Sequence, residues 1–125
     1  MTNGKTSYSA VLGVVLSNLR KSMNIEQGEM AERMGLSQPS YSRLESGKSA
    51  FSVDQMFQSA NALEINFEEL NTRLIQNIRQ LQANGIKVIQ PVRANTVKAQ
   101  EQKNEVGQIL AGAALGALIF SMLTK

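Results

Sequence analysis

The chain has 125 residues, 42% hydrophobic and 18% charged, with no Cys and no His. That length holds one ordinary domain, or a small domain with an extension, and the composition excludes both a disordered polyelectrolyte and a chain embedded in membrane throughout. Without thiols or imidazoles there is no thiolate nucleophile, no Cys or His metal site, no imidazole base and no disulfide framework. The carboxylates, Lys, Tyr and Ser form no activating constellation, so neither catalysis nor a metal or cofactor is expected.

The formal charge of +3 is unevenly placed. Residues 1–50 carry six bases and four acids, a net of +2. Residues 51–72 carry only Asp54, Glu64, Glu68 and Glu69, a net of −4. Residues 73–125 carry seven bases and two acids, a net of +5. An acidic middle between basic flanks suggests that only part of the surface faces a polyanion.

In chain order, Val11–Leu16 is apolar but short. It is followed by Asn18, Arg20 and Lys21 rather than a cleavage site, which argues against a signal peptide. The spacing of Leu12, Leu16, Leu19 and Met23 predicts a first helix from about Ser9 to Met23. A second helix opens at Glu26 or Gln27, with Met30, Ala31 and Met34 inward, and stops at Gly35. Ser37 caps a third, Pro39 is tolerated in its first turn, and Gly47 ends it after Ser46. Ser52 caps a fourth, with Val53, Met56, Phe57, Ala60 and Leu63 inward. Asn66 caps a longer fifth that reaches about Asn84, with Phe67, Leu70, Leu74, Ile78 and Leu81 spaced as in a seam between helices. Gly85 ends that helix. Ile86–Gln90 is short and β-prone, and Pro91 limits it to an edge or ribbon. Arg93 to Glu105 reads as a polar linker or solvated helix, and Val106 to Leu123 is uncharged.

The informative stretch is Gln27 to Gly47, QGEMAERMGLSQPSYSRLESG. Two short helices join through a Gly-centred turn, with Met30, Ala31 and Met34 packing on one side and Leu36, Tyr41 and Leu44 on the other. The other face of the third helix carries Ser37, Gln38, Ser40, Ser42 and Arg43, which suit base edges and phosphates.

With Arg20, Gln27, the turn Met34-Gly35-Leu36-Ser37, the run Tyr41 to Lys48 and the stretches Phe51–Asp54 and Ala60–Leu70, the sequence resembles the Cro and lambda-repressor type of helix-turn-helix regulator, the XRE family. The resemblance covers about Leu12 to Leu70. It implies a mainly α fold with a five-helix lambda-repressor-like DNA-binding domain over residues 8–84; beyond the resemblance, the residue pattern of 85–125 is read as a β-strand, a polar linker and an apolar C-terminal oligomerisation helix. The resemblance implies double-stranded DNA as partner, with Gln38, Pro39 and Arg43 toward the major groove. Arg43 suits guanine, Gln38 adenine, and Pro39 only a thymine methyl group. Gln27, Ser37, Ser40, Ser42 and Lys48 are the remaining DNA candidates, chiefly for phosphates. It also implies that Arg20 pairs with Glu45, and that Tyr41 is core rather than a stacking platform. Glu64 departs from the Gly common at that helix end.

One such unit reads one half-site, so a homodimer or homotetramer is expected. The assembly devices are Leu74, Ile78 and Leu81 on the fifth helix, Ile86 and Val88 on a strand pairing with its counterpart in another protomer, and the tail residues Leu110, Gly112, Leu115, Gly116, Leu118 and Ile119. The 18-residue tail would reach about 27 Å as a helix, just short of a ~30 Å hydrocarbon core. Its Ala, Gly, Ser and Gln content favours soluble assembly over a membrane tail. The expected protein is a cytoplasmic, nucleoid-associated regulator, more often a repressor. The alternatives are an antitoxin that binds a toxin partner and represses its own operon, and an adaptor held at the inner membrane by residues 106–123.

Overall fold

The computed structural model describes residues 4–90 and 109–123; Pro91 and the expected linker from Arg93 to Glu105 lie outside them. The chain begins with β1 (Gly4–Ser7) and runs directly into α1 (Tyr8–Ser22), with Ser7 Oγ accepting from the Ala10 N–H. α2 (Gln27–Arg33), α3 (Gln38–Glu45), α4 (Val53–Ala62) and α5 (Phe67–Ala83) follow, each starting within a residue of where the sequence places it. The reason is the cap chemistry. Ser37 Oγ accepts from the Ser40 N–H, Ser52 and Gln55 form a reciprocal capping box, and Asn66 accepts from the Glu69 N–H. Gly35 and Gly47 stop α2 and α3 at φ +70° and +80°, a conformation that costs glycine little. Glu64, standing where the family commonly has Gly, adopts φ +57° after α4.

β1 had no sequence signal, because Gly-Lys-Thr-Ser shows neither alternation nor β-branched enrichment. It is nevertheless the centre of a three-stranded sheet ordered β2-β1-β3, with β2 (Ile86–Ile89) on one side and β3 (Ile109–Leu110) on the other, both parallel to it. Gly4 aligns with Ile86 and Ser7 with Ile89; Thr6 aligns with Leu110, and its hydroxyl donates to the Leu110 carbonyl at 2.6 Å. The expected pairing of the Ile86–Gln90 strand with another protomer is therefore corrected: the strand finds its partner in its own N-terminus.

The tail is corrected in the same sense. The helix expected over Val106–Leu123 is α6 (Gly112–Leu123), because Ile109 and Leu110 form β3. α6 folds back along α1 and touches α5. Leu115, Ile119 and Met122 enter the same core as Leu12, Leu16, Tyr41, Leu63 and Leu70, so the boundary expected at 84/85 does not divide two cores. This explains why α1 is buried on all sides from Ala10 to Leu16 rather than along one stripe. α3 and α5 cover part of it, and the sheet and α6 cover the rest.

Of the residues expected to hold protomers together, Leu74, Leu81, Ile86, Val88, Leu115 and Ile119 are buried within the protomer. Ile78, Leu110 and Leu118 pack partly against the same core, and Gly112 and Gly116 are half-buried beside α3 and α1. Burying a Leu, Ile or Met side chain contributes about 1.5–3 kcal/mol, so the inner face of α6 stabilises the single chain substantially. The outer face keeps Phe120 and Leu123, each 68% exposed. Among the described residues no helix is long and apolar enough to cross a membrane.

Two helix faces also differ from expectation. Val53 and Phe57 point outward from α4, where Phe57 stacks on Phe67 at 4.1 Å between ring centroids, and Met23 is exposed beyond α1.

Candidate nucleic-acid interface

α2 and α3 meet through a turn in which the Gly35 N–H donates to the Glu32 carbonyl and the Leu36 N–H to the Ala31 carbonyl, at 3.0 and 2.9 Å. A side chain at Gly35 would have open space around it, so the requirement there is φ alone. Met30, Ala31, Met34, Tyr41 and Leu44 are buried, and Leu36 packs on the same core. That packing fixes which face of α3 is left outside.

Gln38, Pro39 and Arg43 stand on that outer face, exposed, with Ser37 at its start and Lys48 beyond its end. Ser40 and Ser42 are half-buried. The hydroxyl of Ser37 donates to Ser40 Oγ at 2.9 Å, and Arg43 Nη2 donates to the same oxygen at 3.2 Å. Ser37 and Ser40 thus serve the start of the helix and steady Arg43.

The outer face is held from behind by a buried polar network. Arg20 and Glu45 are 7% and 8% exposed and form a two-pronged pair, Nε to Oε2 and Nη2 to Oε1, both 2.9 Å. Arg20 Nη1 also donates to the Ile25 carbonyl at 2.8 Å. The Tyr41 hydroxyl donates to Glu45 Oε2 at 2.6 Å and Gln27 Nε2 to Oε1 at 2.9 Å. Every buried side-chain polar atom of the described residues has a partner. Burial pushes the Glu45 carboxyl up, but hydrogen bonds from Arg20, Tyr41 and Gln27, with the Arg20 charge, outweigh it and hold the group below the ordinary carboxylate range. The hydrogen bond to Glu45 raises Arg20 despite burial, and burial together with Glu45 raises the Tyr41 hydroxyl.

The network ties α1, the start of α2 and the end of α3 into one unit. It changes the reading of Gln27: its side-chain amide is engaged by Glu45, which leaves the first backbone N–H groups of α2 as what that position offers a phosphate. The sequence also hides how closely α1 crosses α3. A Cβ on Gly13 would lie 2.5 Å from the Glu45 carbonyl oxygen and 2.8 Å from that of Leu44. A lone Gly inside an apolar helix was the available signal. Lys21 is exposed beside Gln27 and lines two clefts that reach Gln38 and Ser42 on α3 and Ser46 at its C-terminal cap. Its signal was its place one residue after Arg20, about 100° around α1 from the buried pair.

A helix-turn-helix family signature matches residues 16–70. The transcriptional repressor RstR of a cryptic CTXphi phage in Vibrio cholerae serotype O1 is 34% identical over 84 residues, which is 67% of this chain and 75% of that protein. Two crystal structures of the clp gene regulator ClgR from Corynebacterium glutamicum share the fold. One has a TM-score of 0.54 at 21% identity, covering 57% of this chain and 92% of that one. The other has a TM-score of 0.58 at 18% identity, covering 81% and 96%.

Proposed function

The chain belongs to the Cro and lambda-repressor type (XRE) of helix-turn-helix transcriptional regulators, DNA-binding proteins rather than enzymes, and we propose that it is a repressor acting as a dimer or higher oligomer. The observation that carries this reading is the exposed face of α3, with Gln38, Pro39 and Arg43 outside and the Arg20–Glu45 network locked behind it.

In the proposed mechanism α3 enters the major groove. Arg43 leaves Ser40 to donate both guanidinium prongs to guanine O6 and N7, Gln38 reads adenine, and Pro39 meets a thymine methyl group. Lys48, Ser42 and the first N–H groups of α2 hold backbone phosphates. Because the buried network fixes α3 against α1 and α2, the backbone of the face needs little ordering at the encounter. Two protomers place two such helices in successive major grooves, and a promoter so occupied is closed to polymerase. Among the described residues, the most exposed large apolar side chains, and so the candidates for contact between protomers, are Phe120 and Leu123 on α6 and Val53 on α4. Support for repression comes from the relative named as a repressor.

The test starts from a site selected out of random duplexes and placed over a promoter in purified transcription. The wild type should lower transcript and Arg43→Ala should not. A rise in transcript would reverse the sign assigned here.

A further inference from the structure

We propose that the C-terminal helix takes part in DNA binding: α1, α3 and α6 wall a groove that holds a backbone phosphate of the duplex, with Lys21 as its counter-charge. This rests on the DNA-binding reading and extends it to a segment that lies outside the helix-turn-helix signature.

The groove has a volume of about 430 Å³. At ~30 Å³ per water it has room for a phosphodiester with its sugar. One wall is a stripe of α1 that includes Ser17, Asn18 and Lys21. A second is the flank of α3, with Ser42 and Ser46, joined by Gln27 from the start of α2. The third is the start of α6, where Gly112, Ala113 and Gly116 present no side chain larger than a methyl group.

The placement of α6 depends on two glycines. A Cβ on Gly47 would come within 2.8 Å of Ala111 Cβ, and one on Gly112 within 3.3 Å of the Ser46 carbonyl oxygen. The first turn of α6 is thereby held against the end of the recognition helix. A strand passing α3 in the major groove must run along its flank, and this is the flank α6 borders.

The charge in the groove suits a phosphate. Glu45 is the one carboxylate in the lining, and both of its oxygens already accept from Arg20, with Tyr41 and Gln27 adding a bond each. The lining carries one base, Lys21, and one acid, Glu45; Arg20, outside the lining, compensates Glu45 from behind, which leaves Lys21 as the charge without an ion-pair partner among those described. Lys21 also borders the neighbouring cleft formed with Gln27 and Gln38, where the exposed Glu26 is the acid present. It therefore sits between two stretches of the recognition surface, within reach of a backbone lying across both.

Ala113 gives a test in which stability and binding move in opposite directions. It is exposed in the first turn of α6, where an acidic side chain favours the helix and a basic one does not. Ala113→Glu should fold at least as well as the wild type yet bind cognate and random duplexes several-fold more weakly. Ala113→Lys should bind both more tightly and steepen the dependence of log K on log salt by about one unit. Lys21→Gln should flatten that slope by about one unit, equivalent to about eightfold in affinity at 0.1 M salt. Full chains are titrated into labelled duplexes over a salt series, with Arg43→Ala as the control for base reading.

If both Ala113 variants keep the wild-type affinity and slope while Arg43→Ala still loses the cognate site, the groove is not a phosphate site and the DNA-binding reading stands without it. If the wild type binds no duplex even at low salt, both readings fail together. Micromolar binding of inorganic phosphate by calorimetry, with DNA affinity indifferent to residue 113, would overturn the proposal in favour of a small phosphorylated ligand.

Discussion

Replacing Arg20 with Met leaves the Glu45 carboxylate, 8% exposed, with Tyr41 and Gln27 as its remaining donors among those described. Two neutral donors do not compensate a buried charge, and breaking such a pair from one side costs about 3–5 kcal/mol. Glu45→Leu does the same from the other side, leaving the guanidinium with the Ile25 carbonyl. In the double variant no charge is buried. Its costs are the acceptor lost by the fully buried Tyr41 hydroxyl, about 1–3 kcal/mol, and the donor lost by the Ile25 carbonyl, which Arg20→Met alone also loses and which therefore cancels in the cycle; half-exposed Gln27 can turn to water. The double variant should therefore be more stable than either single one, with a coupling of at least about 3 kcal/mol. Urea unfolding of the four proteins at neutral pH measures this. Because the folded pKa of Glu45 lies below its unfolded value, the stabilisation is complete above the ordinary carboxylate range and is lost as pH falls through the lowered folded value. That part of the acid limb should vanish in Glu45→Leu. Strictly additive losses, or an unchanged acid limb, would mean that Arg20 and Glu45 do not act as a buried pair.

Gly13→Ala should destabilise the fold by about 2 kcal/mol or more, because a Cβ there meets the α3 backbone at 2.5 Å and the gain of ~1 kcal/mol in helix propensity is smaller; a variant as stable as the wild type in thermal unfolding would show that α1 and α3 do not cross so closely. Leu115→Ala should cost about 2–5 kcal/mol at unchanged mass in light scattering, since Leu115 is buried within one chain. A drop in oligomer size without loss of stability would return the inner face of α6 to an interface between protomers. Glu64→Gly should raise stability by up to about 1 kcal/mol, the relief of a left-handed residue at φ +57° less the added freedom of the unfolded chain; a measured loss would mean that the conformation carries no strain.

The recognition unit was legible because its signals are local. Ser37, Ser52 and Asn66 cap, Gly35 and Gly47 turn, and Met30, Met34, Tyr41 and Leu44 repeat on one face, so each statement needed only a few neighbouring residues. What was hidden is set by distant parts of the chain. Gly4–Ser7 is a strand because Ile86–Ile89 and Ile109–Leu110 come to it, and nothing in Gly-Lys-Thr-Ser says so. The apolar tail showed that it must be buried but not against what, because a helix apolar all round does not mark its inner face. The clue lay in α1, whose Val11, Val14 and Val15 exceed the stripe that the other helices of a five-helix unit need. Val53 and Phe57 misled for the opposite reason. Their helical spacing is correct for a buried stripe, yet Phe57 is satisfied by stacking on Phe67 at the surface.

Arg43 on α3 is the residue proposed to read DNA sequence. The direct measurement is the affinity of the full chain for its selected site and for random duplex at one fixed salt concentration, for the wild type and for Arg43→Ala. The wild type should prefer its selected site at least about 10³-fold. Arg43→Ala should lose about 1–3 kcal/mol at the selected site, roughly 5- to 150-fold, with far less change on random DNA. Equal losses on both duplexes, or a wild type without preference, would contradict the proposed role.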